Sequence, residues 1–209
     1  MTRSMEADVV VCGGGPAGLA AAIAAGRTGA RTVLVERYGF VGGMSTAAYV
    51  YPWMTFHTLQ GKQVVKGIAQ EIVDRLSALK GSPGHLRDTV GFTHTITPYH
   101  PEIFKVLAVD MLAEAGVKLL LHSFADDVRT GADGRSIDAV RLATKSGRID
   151  IAGAQFVDAT GDADLAFLSG APCLQGERRG RSDAADDDEV PDARGRSGAG
   201  QAVYAGASR

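Results

Sequence analysis

Gly13, Gly15 and Gly18 stand at G-x-G-x-x-G spacing, and Glu36 follows about twenty residues further on. In that order these residue types suit one task, holding a pyrophosphate and the sugar beside it. Gly13 permits a tight turn out of a strand. Gly15 leaves bare backbone for a pyrophosphate, and Gly18 lets a helix press against a sheet. Pro16 suits the first position of that helix, whose unpaired N–H groups and positive dipole end attract anions. The whole turn, Gly13, Gly14, Gly15, Pro16, Ala17 and Gly18, is therefore a candidate cofactor contact. Glu36 can accept hydrogen bonds from ribose hydroxyls and would repel a 2′-phosphate, which favours FAD or NAD over NADP. The plain alternative is a structural βα turn with no ligand. Three consecutive glycines lose much conformational freedom on folding, and such a turn has little use for all of them.

The elements that must position these residues are written around them. Val9 to Cys12 is an apolar run short enough for one buried parallel strand. An Ala-rich helical segment follows to about Thr28, and Thr32 to Val35 is a second, β-branched strand ending on Glu36. Strand, glycine turn, helix, strand and acid make a dinucleotide-binding βαβ unit. Composition agrees: 209 residues, 45% hydrophobic, with 27 glycines, fit an α/β nucleotide-binding protein with a substantial core. A net charge of −2 gives no reason to invoke nucleic acid or an anionic membrane. The two cysteines, Cys12 and Cys173, form neither a disulfide framework nor a metal site, so Cys12 is expected to pack as a small apolar residue. No apolar run reaches membrane-spanning length, and the polar MTRSMEAD start does not read as a signal peptide, so a cytoplasmic location is expected.

Further on, Val64 to Leu79 has helical periodicity with Ile68, Ile72, Val73, Leu76 and Leu79 on one face, ended by Gly81, Pro83 and Gly84. Phe92 to Thr97 alternates like a short strand. Pro101 and Glu102 open a helix with Ile103, Leu107 and Met111 as its buried stripe, and Gly116 stops it before a β-run from Val117 to His122. Ser123 to Ile151 reads as an antiparallel meander, with strands Phe124–Arg129 and Ile137–Thr144 and turns at Ala132–Asp133–Gly134 and Lys145–Ser146–Gly147. Ala154 to Asp158 reads as the last parallel strand, running into Thr160, Gly161 and Asp162. Ligands of open parallel sheets bind beyond the carboxyl ends of strands, so Asp162 is placed to reach a cofactor hydroxyl, while Asp164 suits a helix cap. His57, among the aromatics of residues 49–61, reads as packing rather than as an acid–base group.

From Glu36 and Arg37 the chain reads E-R-x-x-x-x-G-G-M-S-T, through Gly42, Gly43, Met44, Ser45 and Thr46. This pattern resembles the N-terminal FAD-binding segment of FAD-dependent oxidoreductases of the two-dinucleotide-binding-domain type, some of which resemble the flavin subunit of heterodisulfide reductases. The resemblance implies that Gly42 to Thr46 lie along the pyrophosphate and ribityl chain. It also implies that the backbone of Phe124 and Ala125 passes the adenine, and that Thr160, Gly161 and Asp162 touch the cofactor. Pro101, Glu102 and Lys105 match the family's P-E-x-x-K helix.

The expected fold is α/β, a Rossmann-like FAD/NAD(P)-binding fold whose parallel sheet and helices carry an antiparallel β-meander crossover. Residues 1–48 and 101–176 would form the FAD-binding domain, 49–100 a partial substrate or cap insertion, and 177–209 a disordered tail. Back-translated with G/C-rich codons, Glu177 to Arg196 can be written so that the neighbouring frame reads SDGAGPTQPMTMKFRMRGVD. That string resembles the family's T-Q-P-M-T-x-x-F-x-x-x-G-V-D continuation, which points to a frame slip near Gly176 and a truncated representative of doubtful activity. The implied function is flavin-mediated hydride or electron transfer between a small-molecule substrate and an unknown acceptor, with no metal site and no catalytic residue identified. A homo-oligomer or an iron–sulfur partner remains open, since two cysteines cannot supply the four thiolates such a cluster needs. An NAD-binding dehydrogenase and a non-enzymatic FAD-binding fragment stay open beside this reading.

Overall fold

The computed structural model describes residues 3–173. A six-stranded sheet carries the fold, built from β1 (Arg3–Cys12), β2 (Thr32–Val35), β6 (Lys118–Leu120), β7 (Ser123–Thr130), β8 (Ile137–Thr144) and β9 (Gly147–Asp158). Their order across the sheet is β6-β2-β1-β9-β8-β7. The first four are mutually parallel, and β8 and β7 add on in antiparallel sense. Helices α1 (Pro16–Arg27), α2 (Ile68–Ala78) and α3 (Pro101–Glu114) and the short α4 (Asp164–Leu168) complete this unit. Three short strands, β3 (Trp53–Met54), β4 (Leu86–Arg87) and β5 (Thr95–Thr97), form a separate sheet in the order β3-β5-β4, wholly within residues 49–100.

Every residue of β2 is buried, as a parallel strand covered on both faces requires. Alternate side chains go to opposite cores. Val11 and Leu34 pack with Leu19 and Ile23 of α1 and Phe104, Leu107 and Met111 of α3. Val10, Cys12, Val33 and Val35 pack with Val128, Val140, Leu142, Ile151 and Leu165 on the other face. The helices thus cover one side, and the meander curls over the other. Only Leu121 and His122 separate β6 from β7, although these strands lie at opposite edges. His122 turns at φ 50°, and the Ser123 N–H donates to the Glu36 carbonyl. From there β7 crosses the face of the sheet to reach β8. Arg27–Glu71, Arg75–Glu71 and Arg75–Glu114 ion pairs of 2.7–2.8 Å tie the three long helices together.

Several boundaries differ from expectation for physical reasons. The expected last parallel strand and the third strand of the meander are one element. β9 runs twelve residues without a break, pairing with β8 through Gly147–Ala152 and with β1 through Ile149–Asp158. β1 correspondingly begins at Arg3, because β9 offers it a partner along its whole length. α2 starts at Ile68 rather than Val64. Gly67 turns at φ 63°, and the N–H groups of Val64 and Val65 donate to the Phe56 carbonyl instead. Leu79, expected on the buried face, caps that helix and is 52% exposed. In α3, Phe104 rather than Ile103 is fully buried, because α3 packs on both the sheet and α2. The expected frame slip and disordered tail lie outside the described residues. Among the described residues no helix is long and apolar enough to cross a membrane.

Candidate functional site

The carboxyl ends of β1, β2 and β9 open into a cleft of about 580 Å³. The glycine turn forms its floor. Gly13 has φ 101°, and a Cβ there would lie 2.1 Å from the Ala159 carbonyl oxygen, so the end of β9 closes directly on the turn. Gly18 is as constrained, since its Cβ would meet the Gly13 carbonyl oxygen at 1.8 Å. Gly15 differs. It caps α1 in extended backbone with φ −71°, and a Cβ would find only the Gly43 Cα, at 3.9 Å. Space is therefore left in front of Gly15. The N–H groups of Gly15 and Ala17 find no acceptor among the described residues.

Glu36 forms a second wall. Its carboxylate, 5% exposed, accepts the Gly14 N–H at Oε2 and the Tyr38 N–H at Oε1, both at 2.8 Å. It thereby fastens the first glycine turn to the end of β2 while still bordering the cleft. Ser123, Phe124 and Ala125 lie beside it because β7 begins with the Ser123–Glu36 backbone bond. Arg37 borders the same end with its guanidinium 5.0 Å from the centre of the Tyr38 ring.

On the far side stands the second glycine turn. Gly42, at φ 113°, donates its N–H to the Gly14 carbonyl at 2.7 Å, and Gly43–Ser45 follow as a single 3-10 turn. Gly43, Met44, Ala47 and Ala48 face the cleft.

Most of the residues singled out from sequence meet at this cleft: Gly13, Gly15, Pro16, Ala17, Glu36, Arg37, Gly43, Met44, Phe124, Ala125, Gly161 and Asp162. Gly14, Gly18, Gly42 and Ser45 do not line it. Gly14 and Gly42 hold the two turns together, Gly18 packs helix on sheet, and Ser45 is buried behind the second turn. Thr160, which the motif around Asp162 had already suggested, lines the cleft as well.

Cys12, Val35, Tyr38, Ala47, Ala48, Ser123 and Ala159 border it as well. All but Ala48 adjoin a motif residue in sequence, which is the one signal that could have found them. Burial, aided by the Asp158 carboxylate, pushes the Cys12 thiol up to about 12, so it is protonated and packs as a small apolar group.

The expected capping role of Asp164 is corrected. Asp164 is the first residue of α4, and its own N–H donates to Thr160 Oγ1 at 2.9 Å. Asp158 Oδ2 accepts the Ala166 N–H at 3.0 Å and Oδ1 the Thr160 hydroxyl at 2.7 Å, so those two residues fasten the helix start. Asp162 makes no hydrogen bond or ion pair among the described residues and stands exposed at the cleft.

The histidines lie elsewhere. His57 Nδ1 meets Thr95 Oγ1 at 2.9 Å, and His85 Nδ1 meets Thr97 Oγ1 at 2.7 Å, on one face of the small sheet. Among the described residues no group of three or more His, Cys, Asp or Glu side chains could hold a metal ion.

A dinucleotide cofactor fits the cleft on these observations. Open space before Gly15, helix-start amides with no protein acceptor and a carboxylate at the neighbouring strand end are what a pyrophosphate and its ribose require.

Solved structures of the same fold include a geranylgeranyl bacteriochlorophyll reductase-like protein from Thermoplasma acidophilum, at 17% identity and TM-score 0.55, covering 78% of this chain and 41% of that one. THI4 from Thermovibrio ammonificans matches at 20% and 0.54, covering 80% and 64%. The p-nitrophenol 4-monooxygenase PnpA from Pseudomonas putida matches at 15% and 0.54, covering 81% and 44%. At such identities these likenesses establish the fold alone, and the chain spans less than two thirds of each structure's length. No curated protein matches it significantly. The family model described as FAD dependent oxidoreductase matches residues 8–191. That match takes in both glycine turns, Glu36 and Asp162, and with it the chain belongs to the FAD dependent oxidoreductase family, whose cofactor is FAD.

Proposed function

We propose that this chain forms the cofactor-holding part of an oxidoreductase that moves a hydride or electrons between a bound small-molecule substrate and a separate acceptor. The observation that carries the reading is the single cleft joining the free helix-start amides of Gly15 and Ala17 to the Glu36 carboxylate. FAD supplies the redox chemistry when bound, and the protein supplies placement and electrostatics. The α1 start faces the pyrophosphate with bare amides and its positive dipole end. Glu36 keeps lone pairs for a ribose, because each of its oxygens accepts only one backbone N–H. Phe124 and Ala125 flank that end, and Asp162 offers a second carboxylate to a cofactor hydroxyl.

Residues 1–48 and 101–176 would make up the cofactor domain, with 49–100 an insertion whose small sheet lies on the substrate side and whose helix α2 packs back on α1 and α3. The electron acceptor, or an iron–sulfur protein, would be a separate chain. The free cysteines Cys12 and Cys173 suit a reducing, cytoplasmic compartment.

The test is a visible spectrum of the purified chain after incubation with FAD and removal of unbound ligand. Retained flavin bands are expected. A colourless protein that keeps NAD, or one that keeps neither, would overturn the proposal.

A further inference from the structure

Ser45 is only 2% exposed, although Gly43 and Met44 beside it face the cleft. Two aromatic side chains of residues 49–100 account for this. The Trp53 indole N–H donates to Ser45 Oγ at 2.8 Å. The Tyr99 hydroxyl lies 3.0 Å from the Ser45 carbonyl oxygen and 2.7 Å from that of Val50, sharing one proton between them. Burial raises the Tyr99 pKa, which keeps the hydroxyl a donor.

Nothing about this arrangement is loose. The Trp53 and Tyr99 rings stack at 3.9 Å with their planes 17° apart, and both meet the core residue Phe104 edge-on. Trp53 pairs with Thr97 across the small sheet, two residues before Tyr99, so both aromatics leave the same β3–β5 ladder. The turn they hold has one backbone bond to the first glycine loop, from Gly42 to Gly14, and otherwise bonds mainly within itself. Its two glycines at φ 113° and 49° give it little stiffness of its own.

We infer that Trp53 and Tyr99 are positioning residues for the cofactor: acting through Ser45, they set where the Gly43–Met44 edge of the cleft stands, and so couple the small sheet to what the cleft holds. This rests on the FAD reading of the cleft, and it gives Ser45 a role behind the cofactor rather than against it.

Ser45→Ala removes the acceptor of the Trp53 indole N–H, and Tyr99→Phe removes the donor to the Ser45 and Val50 carbonyls, each with little change in shape. The measurements are FAD affinity, thermal unfolding and hydrogen exchange of the ligand-free protein. Each variant is expected to bind FAD about two- to tenfold more weakly, the worth of one hydrogen bond. The amides of Ser45, Thr46 and Ala47 should exchange faster by a similar factor, and the unfolding midpoint should fall by no more than the loss of that one hydrogen bond requires. Unchanged exchange at the turn in both variants overturns the inference, and so does faster exchange with unaltered FAD affinity. A wild-type chain that takes up no FAD overturns the cofactor reading itself, a result distinct from either. Should Tyr99→Phe fail to fold, Ser45→Ala with Trp53 emission as reporter still decides, because Trp53 is the only tryptophan in the chain.

Discussion

The Glu36 carboxylate holds the Gly14 amide at 2.8 Å across 22 residues of sequence, so the acid that ends β2 is also the fastening of the first glycine turn. Its other oxygen takes the Tyr38 amide at 2.8 Å. One side chain therefore serves both the fold and the cleft, and substitutions separate the two roles.

Glu36→Ala leaves the buried Gly14 N–H without an acceptor and frees the Tyr38 N–H. The expected cost is about 2–3 kcal/mol in denaturant unfolding, with FAD uptake lost. Glu36→Gln retains one acceptor oxygen but sets an NH₂ group against a backbone N–H, so it should cost about 1–2 kcal/mol and weaken FAD binding about tenfold. Equal stability of wild type and Glu36→Ala would contradict the fastening.

The glycines of the fingerprint should divide by function. A Gly18→Ala methyl would lie 1.8 Å from the Gly13 carbonyl oxygen, so helix and strand must part, with an expected loss of about 1–3 kcal/mol. Gly15→Ala meets only the Gly43 Cα at 3.9 Å and sits at an ordinary φ of −71°, so its unfolding midpoint should hold or rise slightly. Its FAD affinity should nevertheless fall at least tenfold, because the methyl enters the space before the helix start. Denaturation and flavin titration of the two variants check the division directly.

His85 sets a pH dependence. Burial lowers its pKa below the ordinary histidine value and the neighbouring His57 adds to the shift, against a smaller opposing pull from Asp74. Gln70 donates its NH₂ to Asp74, so its Oε1 faces His85 Nε2 as an acceptor. Nε2 then carries the proton, and Nδ1 accepts from the buried Thr97 hydroxyl. The unfolded chain thus binds a proton more readily than the folded one. Stability from this site is complete above the unfolded value of about 6.5 and is lost as pH falls below it toward the lower folded value. Urea midpoints measured between pH 8 and pH 5, on the order of one unit apart, should drop on the acid side in wild type. The drop should be shallower in His85→Gln, and parallel curves would refute the assignment.

What could be read from the chain in advance was what lies close together along it. The βαβ unit was legible because Gly13, Gly15, Gly18, Pro16 and Glu36 each act on backbone within one strand–helix–strand unit. The β2 limits, Thr32 to Val35, and the β8 limits, Ile137 to Thr144, were legible because β-branched runs met clear turn residues at their ends. Continuity of β9 was not. Nothing between Ile151 and Ala154 says whether a strand bends or runs on, and the answer came from β1 and β8 offering partners on both edges.

The site divides along the same line. Residue types alone determined that this chain carries a pyrophosphate-binding turn with an acid at the proper distance, since the tight turn at Gly13 and the bare backbone at Gly15 are demands glycine meets at least cost. Only the folded chain decided which of those residues face the cleft. Ser45 turns inward because Trp53 and Tyr99, 8 and 54 residues away, present it a donor each, and Ser123 reaches Glu36 because β7 starts where β2 ends. A side chain's direction is settled by its partners, and partners brought together by sheet order leave no mark on local sequence.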